Sequence, residues 1–271
     1  MIKRIIKKVV LGKKYSSETY VKYLKGLGVK IGNNCRIFSP ITTLIDTQNP
    51  DMLTIGDNAK ITNGVIILTH DYSWSVGSFI SKKTYGNIRR VIIGNNCFIG
   101  MNSIILRGTT IGDNVIIGAG SVVSGKIESN SVYAGNPAKK IMTLDEFISK
   151  REEKQLSEAV DFANEIKKRR GRHASEDELF EYFWLYSSTD LSPRMKRQIK
   201  HIGVEKEMLD EYYSSNRISQ FKSFNDFLEF CDKQEKLRSE NGKKWWHSVF
   251  KRSINTNYYV FSLHLSFWRN I

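Results

Sequence analysis

Between Ile93 and Ala134 an aliphatic residue returns at every sixth position: Ile93, Ile99, Ile105, Ile111, Ile117 and Val123. Gly follows the beat at 94, 100, 112 and 118, and a small or β-branched residue stands four places on, at Cys97, Ser103, Thr109, Val115, Ser121 and Ile127. An α-helix repeats every 3.6 residues and a strand every two, so neither alone yields a strict six. A six-residue beat means one short strand and one corner, repeated, and such a chain winds into a β-helix.

The beat starts earlier, at Ile31-Gly-Asn-Asn-Cys-Arg, and Ile37, Ile55, Ile61 and Ile67 all keep its phase, with Thr43 and Asn49 on the weak positions between. The step from Ile67 to Ile93 is not a multiple of six and breaks it. Residues 70–90 are therefore an insertion thrown out of the coil, and insertions on repeat scaffolds are where binding tends to reside. Its content agrees: Asp71, Tyr72, Trp74, Lys82, Lys83, Tyr85, Arg89 and Arg90. The Gly-Asp-Asn triplets at 56–58 and 112–114 read as corner turns, and the glycines at 118, 120 and 125 lack the βαβ context of a dinucleotide site.

Of the net +14, residues 1–30 hold nine Lys/Arg against one Glu, residues 31–144 ten against six, and residues 145–271 23 against 21. The excess is a basic N-terminal arm suited to anionic lipid, a phosphorylated cofactor or an acidic glycan, and no nucleic-acid motif accompanies it. Ile2, Ile5, Ile6, Val9 and Val10 make residues 2–11 an amphipathic helix. It reads as a lid on the open end of the β-helix, with membrane-surface binding as a second role. The basic start lacks the apolar run and cleavage site of a signal peptide, and no apolar run is long enough for a membrane span. Cys35, Cys97 and Cys231 have neither pairing nor metal spacing and read as buried thiols in a reducing cytoplasm.

After Thr143 the texture changes. Thr143-Leu-Asp-Glu is a capping signature, and helices are expected near 143–170, 176–188, 193–201, 204–215 and 223–240. Phe180, Phe183, Trp184, Phe221, Phe224, Phe227 and Phe230 supply an aromatic core. The C-terminal stretch 242–271 is rich enough in aromatics to pack on the helices or on a neighbouring subunit. The expected organisation is mainly β: a helical cap at 1–30, a parallel β-helix at 31–142 with its 70–90 insertion, and a helical region at 143–271.

Of five histidines, only His70 lies in the repeat region, where the chain leaves the coil. A histidine beside an aromatic, basic loop suits a general base near neutral pH. Ile55-Gly-Asp-Asn, Leu68-Thr-His-Asp-Tyr-Ser-Trp, Cys97-Phe-Ile-Gly-Met-Asn, Ile117-Gly-Ala-Gly-Ser-Val-Val and Ala134-Gly-Asn-Pro-Ala-Lys together resemble the hexapeptide-repeat acyltransferases. Within that family the chain is similar to the maltose/galactoside-type O-acetyltransferases and to those that modify bacterial surface polysaccharides.

The resemblance implies a left-handed parallel β-helix, an exception to the usual right-handed crossover, and homotrimers with sites between subunits. It implies that His70 takes a proton from an acceptor hydroxyl that attacks the thioester of acetyl-CoA, with the Met101 backbone N–H as oxyanion donor. Phe98, Met101, Ala119, Gly120, Ser124, Gly125, Lys139 and Lys140 would line the CoA path, with no metal required. Asn63 matches an acceptor-side Asn of some relatives, and Tyr72, Trp74 and Tyr85 are aromatic candidates for the acceptor. Asp71 is a candidate to orient His70, although neighbours in an extended segment point opposite ways. The expected acceptor is a glycan, or its sugar-nucleotide or lipid-linked precursor, and the expected location is the cytoplasm or the inner membrane face. Three other readings stand beside this one: N-acylation of an amino sugar, a zinc hydratase, and an inert scaffold that recruits partners. A single repeat-region histidine counts against zinc, which takes three protein ligands in such sites.

Overall fold

Aliphatic side chains spaced as above can all reach one interior only if the coils stack in register, and that stacking defines the architecture. The structure, a computed structural model, describes residues 9–186, 192–201 and 219–241. Among them, three parallel sheets wrap a left-handed β-helix. One sheet holds Lys30–Ile31, Leu53–Ile55, Val91–Ile93, Thr110–Ile111 and Lys126–Ile127. The second holds Arg36–Ile37, Lys60–Ile61, Phe98–Ile99, Val115–Ile117 and Ser131–Ala134, and ends on the antiparallel Lys139–Thr143. The third holds Leu44–Ile45, Ile66–Ile67, Ile104–Ile105 and Val122–Val123.

Ile93 pairs with Ile111 and Ile99 with Ile117, so a regular coil is built of three hexapeptides, one per face. Ile37, Ile61, Ile99 and Ile117 stack as one buried interior column, and Ile45, Ile67, Ile105 and Val123 as another. Each such burial contributes about 1.5–3 kcal/mol. The small side chain four places after the beat turns into the corner: Ser103 Oγ donates to the Gly118 carbonyl at 2.9 Å and Ser121 Oγ to the same carbonyl at 2.6 Å.

The corner between the first and second sheets is a ladder of Asp, Asn and Ser. Asp57 Oδ1 accepts the Asn33 amide at 2.6 Å, Asn95 Oδ1 that of Asp57 at 2.8 Å, and Asp113 Oδ1 that of Asn95 at 2.6 Å. Asn58, Asn96 and Asn114 take left-handed φ of 52–57°, where asparagine is tolerated. The glycine after the beat is demanded by proximity, because a Cβ on Gly94 would lie 2.5 Å from the Gly112 carbonyl oxygen.

Two departures correct the sequence reading. Ile37 is followed on the third face by Ile45, and Ile45 by Ile55 on the first, so that coil carries two extra residues before Ile45 and four after it. Thr43 and Asn49 keep the phase only because these extras add to six. Thr43 in fact fills the small corner slot beside Ile45, buried like its counterpart Val65. At the other end, Ile127 pairs with Ile111 and is an interior residue, so the last coil is two residues short between Val123 and Ile127.

Helix α1, Ser17–Leu27, lids the coil. Ser16 caps it by accepting the Thr19 amide at 3.2 Å, Gly28 ends it at φ +112°, and Tyr20 and Leu24 are buried in the β-helix core. The lid among the described residues is thus α1; most of the amphipathic 2–11 stretch lies outside the described residues. The insertion leaves and re-enters through a narrow neck. His70 bridges Ile88 antiparallel, and the Arg89 amide donates to the Thr69 carbonyl at 2.9 Å. Between them sits helix α2, Ser75–Ser81.

Helix α3, Leu144–Arg170, starts on the capping box that Thr143 and Glu146 promise: the Thr143 amide reaches Glu146 at 2.8 Å and the Glu146 amide reaches Thr143 Oγ1 at 3.2 Å. One compact unit runs to Lys154 and the other takes up from Gln155. In the second unit Ala159, Ala163, Leu179, Tyr186, Phe227 and Cys231 form a core, with Phe183, Trp184, Phe221, Phe224 and Phe230 packed on it. Pro193–His201 and Phe224–Asn241 are helical as expected. Of the helix expected at 176–188, the described residues are α-helical only at Phe183–Tyr186, after a 3-10 turn at Phe180–Tyr182. Ser175 holds the preceding segment as a turn, its amide and Oγ both donating to Glu178. The 204–215 helix and the aromatic 242–271 stretch lie outside the described residues. Among the described residues no helix is long and apolar enough to cross a membrane.

Gly94→Ala is expected to lower unfolding free energy by about 1–3 kcal/mol, since the adjacent coil must move. Gly26→Ala, with nothing within 4 Å of its new Cβ, should be neutral or raise stability by up to about 1 kcal/mol. Denaturant unfolding of the two variants checks the contrast.

Candidate active site

His70 follows the third sheet at the corner that leads back to the first, and so do the extra residues of the earlier coil. Asp46, Leu68 and Leu106 succeed one another in this corner, the Asp46 amide donating to Ile67, that of Leu68 to Ile105 and that of Leu106 to Val123. The stack places Asp46 beside His70, although a whole coil of chain separates them. His70 Nδ1 lies 2.5 Å from Asp46 Oδ2, the side chains being 17% and 5% exposed. Asp46 also accepts the Thr69 amide at 3.0 Å, the Thr69 hydroxyl at 2.5 Å and the Gln48 amide at 3.0 Å.

Burial acts to raise the Asp46 pKa, but the bonds from Thr69, Gln48 and His70 outweigh it and hold the carboxyl below its ordinary value. An ionised carboxylate can only accept, so Nδ1 carries the proton and Nε2 is left as the bare, basic nitrogen. Tyr72 closes the group: its ring meets His70 edge-on at 5.0 Å between centroids, its hydroxyl accepts from Gln48 Nε2 at 2.5 Å, and Trp74 stands 6.0 Å beyond.

Asp71 turns elsewhere. Its carboxylate accepts from Ser73 at 2.5 Å, from Asn87 Nδ2 at 2.8 Å and from Arg107 Nε, and these bonds, Ser73's foremost, hold it well below the usual carboxylate range. The residue that orients His70 is therefore Asp46 and not Asp71, for the alternation of an extended chain turns the two neighbours apart. Sequence reading missed Asp46 because it lies in the coil whose beat is stretched. The one available signal was a carboxylate at the position that Leu68 and Leu106 occupy in the coils above.

Other candidates divide between corners. Ser124 and Gly125 share with His70, Asp71, Arg89 and Arg107 a cavity of 310 Å³. Gly125 has φ +75° and a Cβ there would meet nothing within 4 Å. Met101, Ala119 and Gly120 lie at the corner between the second and third sheets, where the Gly120 amide donates to the Met101 carbonyl at 2.7 Å. The Met101 amide has no hydrogen bond among the described residues, and Gly120, φ +69°, also faces open space. Asn63 is at this same corner, accepting from the Thr42 hydroxyl, and is not gathered with His70. Phe98 lies on the outer face of the second sheet, lining a groove with Phe147 and Ile148 of α3. Lys139 and Lys140 are on its last strand, where Lys140 is engaged by Glu128 at 2.7 Å. Tyr85 is exposed on the returning arm of the insertion. Cys97 is buried, which pushes its thiol up to about 11 and leaves it unreactive.

The family model described as bacterial transferase hexapeptide (six repeats) matches residues 90–125. Protein CapG of Staphylococcus aureus is 40% identical over 130 residues, covering 47% of this chain and 73% of CapG. Galactoside O-acetyltransferase of Escherichia coli is 33% identical over 129 residues, 48% of this chain and 61% of that protein. WcaF of Escherichia coli, whose name assigns it provisionally to colanic acid biosynthesis as an acetyltransferase, is 30% identical over 130 residues, 42% of this chain and 69% of WcaF. The matched part is less than half of this chain. With its β-helix, its corner histidine and these relatives, the chain belongs to the hexapeptide-repeat acyltransferase family.

Because the pKa of Asp46 is lower folded than unfolded, its contribution to stability is complete above the unfolded value of about 3.9 and vanishes as pH falls through the lower folded one. Asp46→Asn is expected to flatten that acid limb and to cost about 1–3 kcal/mol at neutral pH. Thermal melts across pH 3–7 for the two proteins provide the check.

Proposed function

We propose that this protein transfers an acetyl group from acetyl-CoA to a sugar hydroxyl of a bacterial surface polysaccharide or its precursor. The observation that carries the reading is the Asp46–His70 pair beside an open corner, 2.5 Å between Oδ2 and Nδ1, with Nε2 left to act as base. Nε2 removes the acceptor hydroxyl proton as that oxygen attacks the thioester carbonyl. The Met101 N–H, unbonded among the described residues, would receive the oxyanion. As the tetrahedral intermediate collapses, the C–S bond breaks and the imidazolium returns its proton to the departing thiolate. Asp46 stabilises that imidazolium and fixes its tautomer.

The open faces of Gly120 and Gly125 fit a pantetheine arm passing close to the backbone, and Lys139 is the freer cation for a CoA phosphate. His70 and Met101 lie at different corners of the coil, with the third sheet between them. A threefold assembly in which the corner of one copy meets that of the next supports both roles, and on this reading the protein is a homotrimer. Tyr72, edge-on to His70, and Trp74, edge-on to Tyr72, serve the sugar. An enzyme that depends on acetyl-CoA works in the cytoplasm, and that is the location this reading assigns.

His70→Ala is expected to lower acetyl transfer by about 10²–10⁴-fold while CoA binding, followed by calorimetry, is unchanged. Mass spectrometry with a panel of glycans, each offered with free and with blocked hydroxyls or amines, reads the product. Acetylation confined to a sugar amine would overturn the hydroxyl assignment, and undiminished transfer by His70→Ala would overturn the base.

A further inference from the structure

Acyl transfer leaves one feature of the insertion unused. Helix α2 presents Val76, Phe79 and Ile80, 71%, 79% and 84% exposed, at i, i+3 and i+4 and so along one stripe. Single exposed apolar residues are ordinary; a contiguous group at the tip of a projecting loop marks an interaction surface. Lys82 and Lys83 follow directly, and Arg89 and Arg90 stand where the loop returns. The one carboxylate of residues 70–90, Asp71, is already held by Arg107. The tip is therefore apolar at its end and positive behind it.

The charge decides what covers it. A second copy of the β-helix would have to set acids against four cations. Yet of the six acids in residues 31–144, Asp46 is bound to His70, Asp71 to Arg107 and Glu128 to Lys140, Asp57 and Asp113 cap corner amides, and exposed Asp51 alone is left over. The wall offers little to answer such a tip. An anionic bilayer answers both halves, acyl chains for the apolar stripe and headgroups for the lysines.

We propose that α2 and the cations behind it are a bilayer-docking tip that seats on anionic phospholipid. The consequence for the reaction rests on the acyl-transfer reading: His70, at the neck of the same loop, would face a glycan still attached to its lipid carrier.

The test is flotation of the full chain with vesicles of phosphatidylcholine alone or with about one-third phosphatidylglycerol. The wild type should float with the anionic vesicles and stay behind with the neutral ones. Phe79→Ser/Ile80→Ser and Lys82→Gln/Lys83→Gln should each cut partitioning by about tenfold or more, with thermal melt and light-scattering mass unchanged. If both variants float like the wild type while Lys3→Gln/Arg4→Gln/Lys7→Gln/Lys8→Gln does not, the basic arm is the anchor and the proposal falls. A drop in mass on changing Phe79 and Ile80 would show instead that the tip seats on another copy, and would also overturn it. Flotation needs no acetyl transfer, so failure of the reaction in the His70→Ala comparison and failure of docking are read separately.

Discussion

Coil-on-coil stacking at a fixed offset of three hexapeptides is the constraint on which everything else in the β-helix depends. Ile99 lies on Ile61 and beneath Ile117, and Ile105 likewise between Ile67 and Val123, so each column is continuous and buried. Backbone hydrogen bonds between coils permit no gradual drift: a residue added to a coil must leave it at a corner. That rule gives Gly94 its close approach to Gly112, and it forces the surplus chain between Ile67 and Ile93 to project as a loop.

The same rule builds the site. Both long departures from the beat, after Ile45 and after Ile67, occur at one corner, so stacking sets their first residues side by side. Asp46 could not be a buried anion on its own; Thr69, Gln48 and His70 supply the bonds that keep it ionised. Thr69 in turn holds the neck of the insertion through Arg89. Tautomer control of His70 and closure of the loop thus share a few residues, and the aromatic rings of Tyr72 and Trp74 extend outward from the same point.

Family membership rests on the repeat half and leaves the second unit, from Gln155, to be understood from its own packing. An aromatic core around Phe227 and Tyr186, with Lys167 bridging Asp232 and Glu235, gives that unit a hydrophobic core of its own. Among the described residues its charges pair locally, as with Arg172 and Glu178, rather than gathering into one field.

By itself the sequence determined the β-helix, most of its interior beat, the corner turns and the insertion that opens at His70, because each follows from a local period or its interruption. It also marked the start of α3, where a capping box is a local contact between Thr143 and Glu146. The partner of His70 was decided only by tertiary structure. Two insertions summing to six residues hid the true register between Ile37 and Ile55, so Asp46 looked like a residue off the beat while the adjacent Asp71 looked like the orienting group. Chain neighbours point apart in an extended segment, whereas residues a whole coil apart are pressed together by stacking. Tertiary structure likewise set His70 and Met101 at separate corners, since which corner a residue occupies depends on every insertion counted before it.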